Sequence, residues 1–394
     1  MKSVLSARPV WAEINLDSIT HNIREIKRII GPATQIMAVV KADGYGHGAV
    51  RAAETALNAG ASSLAVAFVE EAVELRQSGI EAPVLIFGYT DPARFSDLVE
   101  YKLTPTVFDF STASALSGQA VERGIKLAIQ LKVDTGMGRI GLLPDEAVEV
   151  IYRITRLPGL EIEGLYTHFA SADDQDQSYT KEQLILFNRV IEYCQERGIR
   201  FPLIHAANSA ASIAYPQTRL NLVRTGIAIY GHYPFSDLRR NLLNLLPALT
   251  LKSRVVMVKT LPPGSGVSYG STYITDRETF VATIPVGYAD GYNRLLSNRG
   301  SVLIRGRRAP VIGRVCMDHL MADVSSIPGA CPGDEVVLFG RQGDAEFTVE
   351  EAAGMVGTIN YELLCAIGKR VPRLYFREGK LVSIKDFTGN TDIN

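Results

Sequence analysis

Residues 35–68 read QIMAVVKADGYGHGAVRAAETALNAGASSLAVAF. An apolar β-branched run, a glycine-broken turn, a stretch with helical spacing of apolar residues and a second apolar run follow in order. This is one β–α–β unit, in which a helical crossover joins parallel strands. The texture persists to Tyr230, with further runs APVLIFG (82–88), LTPTVFD (103–109), KLAIQLKVD (126–134), LEIEGLYTHF (160–169), PLIHAAN (202–208) and LNLVRTGIAIY (220–230). Helical stretches at 49–60, 70–79 and 178–198 each end in a glycine suited to stopping a helix. The eight runs match a (β/α)8 barrel, although an open doubly wound sheet alternates similarly.

Beyond Tyr230 the pattern changes. Residues 231–247 have the composition of a connection, followed by strand-rich segments at 251–261, 279–288, 301–306 and 334–340. Residues 348–368 are helical in pattern and open on Thr348 and Glu351, the spacing of a capping box. The expected fold class is α/β: an N-terminal (β/α)8 TIM-type barrel over 11–240 and a mainly β domain over 241–394. Residues 1–10 are expected to form a strand packing with the C-terminal domain.

The 394 residues are 46% hydrophobic and 21% charged, with a formal net charge of −1. That balance excludes wholesale disorder and gives no electrostatic footing for nucleic acid. No apolar run approaches the roughly 20 residues that span a bilayer. The first residues lack a secretory-type apolar stretch, so a cytoplasmic location with no membrane partner is expected. Cys194, Cys316, Cys331 and Cys365 show neither CxxC spacing nor a matching histidine pair. Free thiols and no metal site are expected.

If the eight runs are barrel strands, their carboxyl ends carry Lys41, Lys132, Arg139, His168, Ser209 and Arg224, on the face where barrel enzymes place their sites. Asn208-Ser209 and Arg224–Ile227 end adjacent strands, a frequent position for phosphate binding. A lysine opposite such a pocket suits Schiff-base chemistry. Pyridoxal phosphate brings an aldehyde, a phosphate handle and an electron-delocalising ring. DGYGHGAV has spacing related to a dinucleotide fingerprint, but that local match is weak.

The blocks RPVWAEINLDSITHN (8–22), KADGYGHG (41–48), LKVDTGMGRIG (131–141), GLYTHFASAD (164–173), HAANSA (205–210), VRTGIAIYG (223–231), GVSYGSTY (266–273), IPVGYADGY (284–292), GRVCMDHLMADV (313–324) and GTINYELLC (357–365) span nearly the whole chain. With them the chain resembles the alanine racemase family. The resemblance implies pyridoxal 5'-phosphate joined to Lys41, which also acts as base on the D-alanine face, with Tyr269 as the opposite base. Removing a proton from one face of Cα and returning it to the other requires two such groups. His168 is implied as partner of Tyr269, and Arg224 as the link from His168 to the pyridine nitrogen.

The resemblance further implies that Tyr45, Ser209, Gly226, Ile227 and Tyr361 hold the phosphate. Arg139 and the Met317 main chain bind the substrate carboxylate, and Lys132 is carbamylated beside Arg139. Tyr166, Asp173, Tyr288 and Arg294 are implied to line the approach. Tyr269 and Met317 are implied to complete the site of another copy, giving a homodimer with composite sites. His319 departs from a more usual glutamine. His47 and His205, without metal-ligand spacing, have structural or cofactor-neighbour roles.

The implied role is supply of D-alanine for peptidoglycan. Three other readings share parts of this pattern. A barrel decarboxylase would favour an acidic partner at the pyridine nitrogen, against Arg224. A non-catalytic pyridoxal-phosphate carrier has no need of Tyr269 or Arg139. A serine or broader-specificity racemase could use the same bases with altered gates.

Overall fold

The computed structural model describes residues 9–235, 241–386 and 389–393. The chain divides into two compact units. One comprises Ile19–Gly44 and Ala49–Leu246 and is called the barrel unit. The other takes its described residues from Met1–Ser18, Tyr45–Gly48 and Pro247–Asn394 and is called the β unit.

Strand β1 (Val10–Asn15) is followed by α1 (Leu16–Ile30) and then by the barrel strands. These are β2 (Gln35–Val39), β3 (Ser63–Val66), β4 (Val84–Ile86), β5 (Thr104–Val107), β6 (Leu127–Lys132), β7 (Leu160–Tyr166), β8 (Leu203–His205) and β9 (Leu222–Thr225). Each falls within one of the eight runs. They form a parallel sheet in the order β8-β7-β6-β5-β4-β3-β2-β9. The intervening helices are α2 (Ala49–Asn58), α3 (Val69–Gln77), α4 (Phe95–Glu100), α5 (Phe110–Glu122), α6 (Pro144–Ile154), α7 (Ser178–Glu196) and α8 (Ser209–Ala214).

Every residue of β3, β4 and β5 is buried, as strands covered on both faces require. Leu64, Leu85, Ile129, Leu131 and Leu165 on the strands, and Ala53, Leu75, Leu98, Leu116, Ile151 and Phe187 on the helices, supply the buried apolar layer. The seam between β8 and β9 has no regular ladder. Asn221 bridges it, accepting from Ile204 N–H at 2.8 Å and donating to the Pro202 carbonyl at 2.8 Å. The Arg224 N–H donates across it to the Ala207 carbonyl at 2.9 Å.

The β unit continues with β10 (Leu249–Arg254), β11 (Met257–Leu261), β12 (Gly266–Val267), β13 (Tyr273–Ile274), β14 (Thr279–Ile284), β15 (Ser301–Ile304), β16 (Arg307–Pro310) and β17 (Leu320–Asp323). Then come β18 (Glu335–Gln342), β19 (Ala345–Phe347), α9 (Val349–Val356), α10 (Asn360–Cys365), β20 (Arg373–Arg377), β21 (Lys380–Asp386) and β22 (Gly389–Asp392). The main sheet runs β16-β15-β18-β10-β1-β20-β21-β22, with β19 on β18. A second sheet runs β11-β14-β17, and β12 pairs with β13.

Two expectations shift. The first strand is Val10–Asn15, not residues 1–10, of which 1–8 lie outside the described residues. It sits centrally, antiparallel to β10 and parallel to β20, because Val10, Trp11, Ala12 and Ile14 are buried and need cover on both faces. The segment 348–368 is two helices, not one. Gly357 at φ 73° ends α9, while Thr348 caps its start through a 3.0 Å bond from Glu351 N–H. Part of the expected connection at 231–247 lies outside the described residues.

Asn22 of α1 holds the end of the barrel unit. Its amide donates to the Ile229 and Leu246 carbonyls at 3.1 and 2.9 Å, and its oxygen accepts from Leu246 N–H at 2.8 Å. Asn22→Ala leaves the buried Ile229 carbonyl and the part-buried Leu246 groups without this partner and is expected to destabilise the fold by about 2 kcal/mol. Urea unfolding checks this, and an unchanged midpoint would contradict it.

Candidate active site

Parallel strands bring their carboxyl ends to one mouth of the barrel unit. After β2 the chain turns left-handed: Ala42, Asp43 and Gly44 have φ of 53°, 52° and 63°. Non-glycine residues in this region are strained by about 1–2 kcal/mol each. Local bonds hold the turn. Ala42 N–H donates to Glu71 Oε1 at 2.6 Å, and Ala49 N–H to Asp43 Oδ1 at 2.9 Å. The other oxygen of Glu71 accepts from Ala67 and Phe68 N–H at 2.7 and 3.2 Å. One carboxylate thus ties the loops after β2 and β3 and fixes where Lys41 starts its turn.

The next residues, Tyr45–Gly48, belong to the β unit. Tyr45 packs on Tyr361, with ring centroids 5.9 Å apart. Arg373 donates to the carbonyl of Gly46 at 3.1 Å and to those of Ile367, Gly368 and Val371 at 2.7, 2.6 and 2.7 Å. A Cβ on Gly46, at φ 82°, would lie 2.2 Å from the Leu364 carbonyl oxygen, so only glycine fits. His47 is buried, with Nδ1 3.0 Å from the Tyr45 carbonyl.

Arg224, in β9, is buried inside the barrel. Its guanidinium donates to His205 Nδ1 at 2.8 Å, to the Thr167 and Ala206 carbonyls at 2.7 Å each, and to His168 Nδ1 at 3.2 Å. His205 Nε2 lies 2.8 Å from Gln130 Oε1. Since the guanidinium can only donate, His205 is neutral with its proton on Nε2, and that proton goes to Gln130. Burial and Arg224 hold its pKa well below the ordinary value. Burial also lowers Arg224, to about 10, still a cation at neutral pH.

His168 is half-buried. Desolvation and the charges of Arg224, Arg139, Lys132 and Lys41 keep it neutral. Its carbonyl accepts from Gln183 Nε2 at 3.2 Å, and Gln183 Oε1 accepts from Ala170 N–H at 2.9 Å, so α7 fixes the strand end that carries it.

Lys132, buried at the end of β6, has its ammonium 5.6 Å from the centre of the Tyr166 ring. Burial, then Arg139 and Arg224, bring its pKa to about 7. Arg139 is exposed on the loop after β6. Asp134 organises that loop, accepting from Gly136, Gly138 and Arg139 N–H at 3.0, 3.1 and 2.9 Å. Ser209, at the start of α8, accepts from Gly226 N–H at 2.9 Å, which leaves its own hydroxyl proton to donate. Ile227 follows in the same buried turn.

Tyr269, Met317 and Tyr288 lie in the β unit, 70%, 52% and 41% exposed. Their loops are tied together. The Ser268 hydroxyl donates to the Arg314 carbonyl at 2.6 Å, Tyr288 N–H to the Cys316 carbonyl at 3.0 Å, and Ala289 N–H to the Met317 carbonyl at 3.1 Å. Ser268 and Gly270, at φ 64° and 70°, project Tyr269 from a tight turn. Asp173 and Arg294 are exposed.

Tyr166 differs from its expected place on the approach. It is buried inside the barrel, donating to Thr106 at 2.8 Å and stacked on His205 at 4.8 Å between centroids. Beyond the irregularity of β7, Gly164 and Tyr166 share the inward-facing series paired with Gln130 and Lys132, which explains this. Glu71, Gln130, Gln183 and Arg373 escaped the sequence reading. Of these, only Glu71 carried a local signal, an acidic residue in the first turn of a helix.

An eight-stranded barrel whose mouth gathers four basic side chains around a neutral histidine, followed by a mainly β unit, defines a two-domain barrel enzyme. Residues 14–234 match the family model of the alanine racemase N-terminal domain, and residues 248–375 that of the C-terminal domain. The chain belongs to the alanine racemase family. It is 52% identical to an alanine racemase of Desulforamulus reducens, over 93% of this chain and 99% of that one. Its structure is similar to that of an alanine racemase of Clostridium difficile 630, with TM-score 0.91 and 41% identity, covering 96% of this chain and 98% of that one. A histidine racemase of Leuconostoc mesenteroides is similar at TM-score 0.86 and 29% identity, with 94% and 99% covered.

Unmodified Lys132 should lose its proton near pH 7 instead of the ordinary 10.5. Between those values the unfolded state binds the extra proton, so this group's contribution to stability rises with pH through that window. Nitrogen NMR of 15N-lysine-labelled protein in buffer free of carbon dioxide checks the value, and a titration near 10.5 would contradict it.

Proposed function

We propose that the chain interconverts L- and D-alanine with pyridoxal 5'-phosphate, using Lys41 and Tyr269 as bases on opposite faces of the substrate. The observation that carries this reading is the mouth's charge. Lys41, Lys132, Arg139 and Arg224 are electrostatically coupled there, with Asp134 as the acidic group among them. Such a mouth is matched by a phosphate and a carboxylate.

The residues fit the cofactor. Ser209 keeps a hydroxyl proton for a phosphate beside Gly226 and Ile227, with Tyr45 and Tyr361 as further phosphate ligands. When bound, pyridoxal phosphate supplies an aldehyde that condenses with amines and a ring that delocalises the charge left by the α-proton. Arg224 would offer N–H donors but no readily transferable proton to the ring nitrogen of a bound cofactor, which would weaken the electron sink and disfavour transamination.

Lys41 takes or returns the proton on the D-alanine face. Tyr269 does so on the other, its phenolate supported by His168, which Arg224 and Gln183 orient. Arg139 and the Met317 amide bind the substrate carboxylate. The neutral amine of Lys132 can add to carbon dioxide with loss of a proton, and the carbamate anion formed would balance Arg139. The exposure of Tyr269 and Met317 supports their completing the site of a second copy of the chain, as a homodimer. Tyr288, Asp173 and Arg294 would line the approach. The role proposed is cytoplasmic D-alanine supply for peptidoglycan. Alanine is favoured over serine or histidine by the 52% identity to an alanine racemase.

The test is proton NMR of each alanine enantiomer in heavy water with chiral analysis. Loss of the α-proton signal with inversion is expected; no exchange despite bound cofactor would reject the reading. Tyr269→Phe should slow exchange from L-alanine by about 10²–10⁴-fold while D-alanine still exchanges, and Lys41→Ala should abolish both. Equal losses for both enantiomers in Tyr269→Phe would contradict the assignment of faces. Arg224→Glu should raise 2-oxo-acid formation relative to racemisation, measured in the same tubes; an unchanged ratio would count against its electronic role.

A further inference from the structure

At the opposite end of the barrel one cavity has an acidic lining. This cavity, of about 280 Å³, opens at the amino-terminal ends of the strands, and its lining includes Glu161, Glu163, Ser63, Thr104 and Gln130. No lysine, arginine or histidine is among the lining residues.

Two features show how it is built. Across β6 and β7, Ile129 pairs with Ile162 but Gln130 pairs with Gly164, so Glu163 is the extra residue of a β-bulge. Residues two apart share a face, so Glu161 and Glu163 both line the cavity, and the bulge resets the alternation so that Gly164 and Tyr166 face inward beyond it. Ser63, only 6% exposed, is among the lining residues, and its buried hydroxyl has no protein partner. A buried hydroxyl is usually hydrogen-bonded, so this one has capacity for a further partner.

We infer that this floor is a second binding site, for a small alkylammonium cation, held by the carboxylates of Glu163 and Glu161 with Ser63 and Thr104 as polar neighbours. Thr104 already donates to Glu163 at 3.3 Å, leaving the second oxygen of that carboxylate for a cation. Burial raises the pKa of Glu163, a penalty on its charge that a bound cation relieves. Metal ions are a poorer match. Among the described residues no group of three or more His, Cys, Asp or Glu side chains is placed to hold one. The rest of the lining is uncharged and includes Met37, Val84, Leu85 and Leu222, which suits an alkyl group. The cationic mouth would repel the same ligand, so the floor is the favoured end.

Gln130 joins this floor to the network above, since its side-chain oxygen is the partner of His205. Occupancy is therefore readable at the His205 ring.

The probe is N,N-dimethylbutylammonium, a tertiary amine that cannot condense with the cofactor's aldehyde, titrated into holoprotein by calorimetry. One saturable site per chain is expected. Glu163→Gln should weaken it by about tenfold or more, as loss of a charge-assisted bond implies. The uncharged 2-methylhexan-2-ol, of similar shape, should not saturate the unmutated protein, which decides the point even if the variant folds poorly. Nitrogen resonances of the His205 ring should shift as the site fills. Absence of saturation, equal binding by the alcohol or by Glu163→Gln, or binding displaced by alanine without a His205 shift would each overturn the proposal.

Discussion

A guanidinium buried without a carboxylate partner is the constraint on which the rest of this barrel depends. Isolated burial of a charge is prohibitive unless its protons are accepted. Arg224 meets that requirement with two carbonyls and two imidazole nitrogens. Each acceptor imposes an order on something else. His205 is fixed as one tautomer because it must accept from Arg224. Gln130 must then present oxygen to His205. The carbonyls of Thr167 and Ala206 must face inward, which sets the ends of β7 and β8. Ala206 follows β8 at the irregular seam with β9, where its carbonyl is free of a regular ladder, and Arg224 is seated there.

The mouth adds three further positive groups to this one, and the consequence appears in their proton affinities. His168 and Lys132 are both pushed toward their neutral forms, first by burial and then by neighbouring cations. A neutral imidazole can accept from a guanidinium and still donate from its other nitrogen. A neutral amine is a nucleophile. The same field therefore creates an acceptor at one position, a reactive amine at another and an attraction for anions at both. The strained turn after Lys41 fits this picture. Left-handed residues there are held by Glu71, a carboxylate spent on backbone N–H groups and so withheld from the cations.

Much of this was legible in the sequence because the signals were periodic or local. All eight barrel strands lie inside apolar runs chosen by composition alone, and the glycine-rich turn at 41–48 announces a backbone that other residues would resist. The cations at the strand ends follow from counting along each run. What escaped is long-range. Glu71 serves a loop 29 residues earlier in the chain, and Arg373 holds a carbonyl 327 residues away. No spacing rule reports such pairs. Tyr166 shows the opposite failure. The family resemblance put it on the approach, but strand alternation aims it into the barrel, where its hydroxyl is satisfied by Thr106 and its ring stacks on His205. The N-terminal strand likewise could be paired only once its partners, more than 230 residues on, were known.

Barrel interiors are ordinarily filled by layers of branched apolar side chains. Here β6 places Gln130 below Lys132, and β7 places Gly164 below Tyr166. A polar layer in the middle of the barrel needs a reason, because each buried amide must find partners. Gln130 finds one in His205, and Gly164 makes room for it: a Cβ there would lie 3.1 Å from the Gln130 side chain. Replacing Gln130 with leucine would fill the layer but strip His205 of its acceptor, and with it the tautomer that Arg224 requires. The polar layer is thus the continuation of the buried cation's own demand for acceptors, carried one residue deeper at each step until it reaches a floor lined by carboxylates.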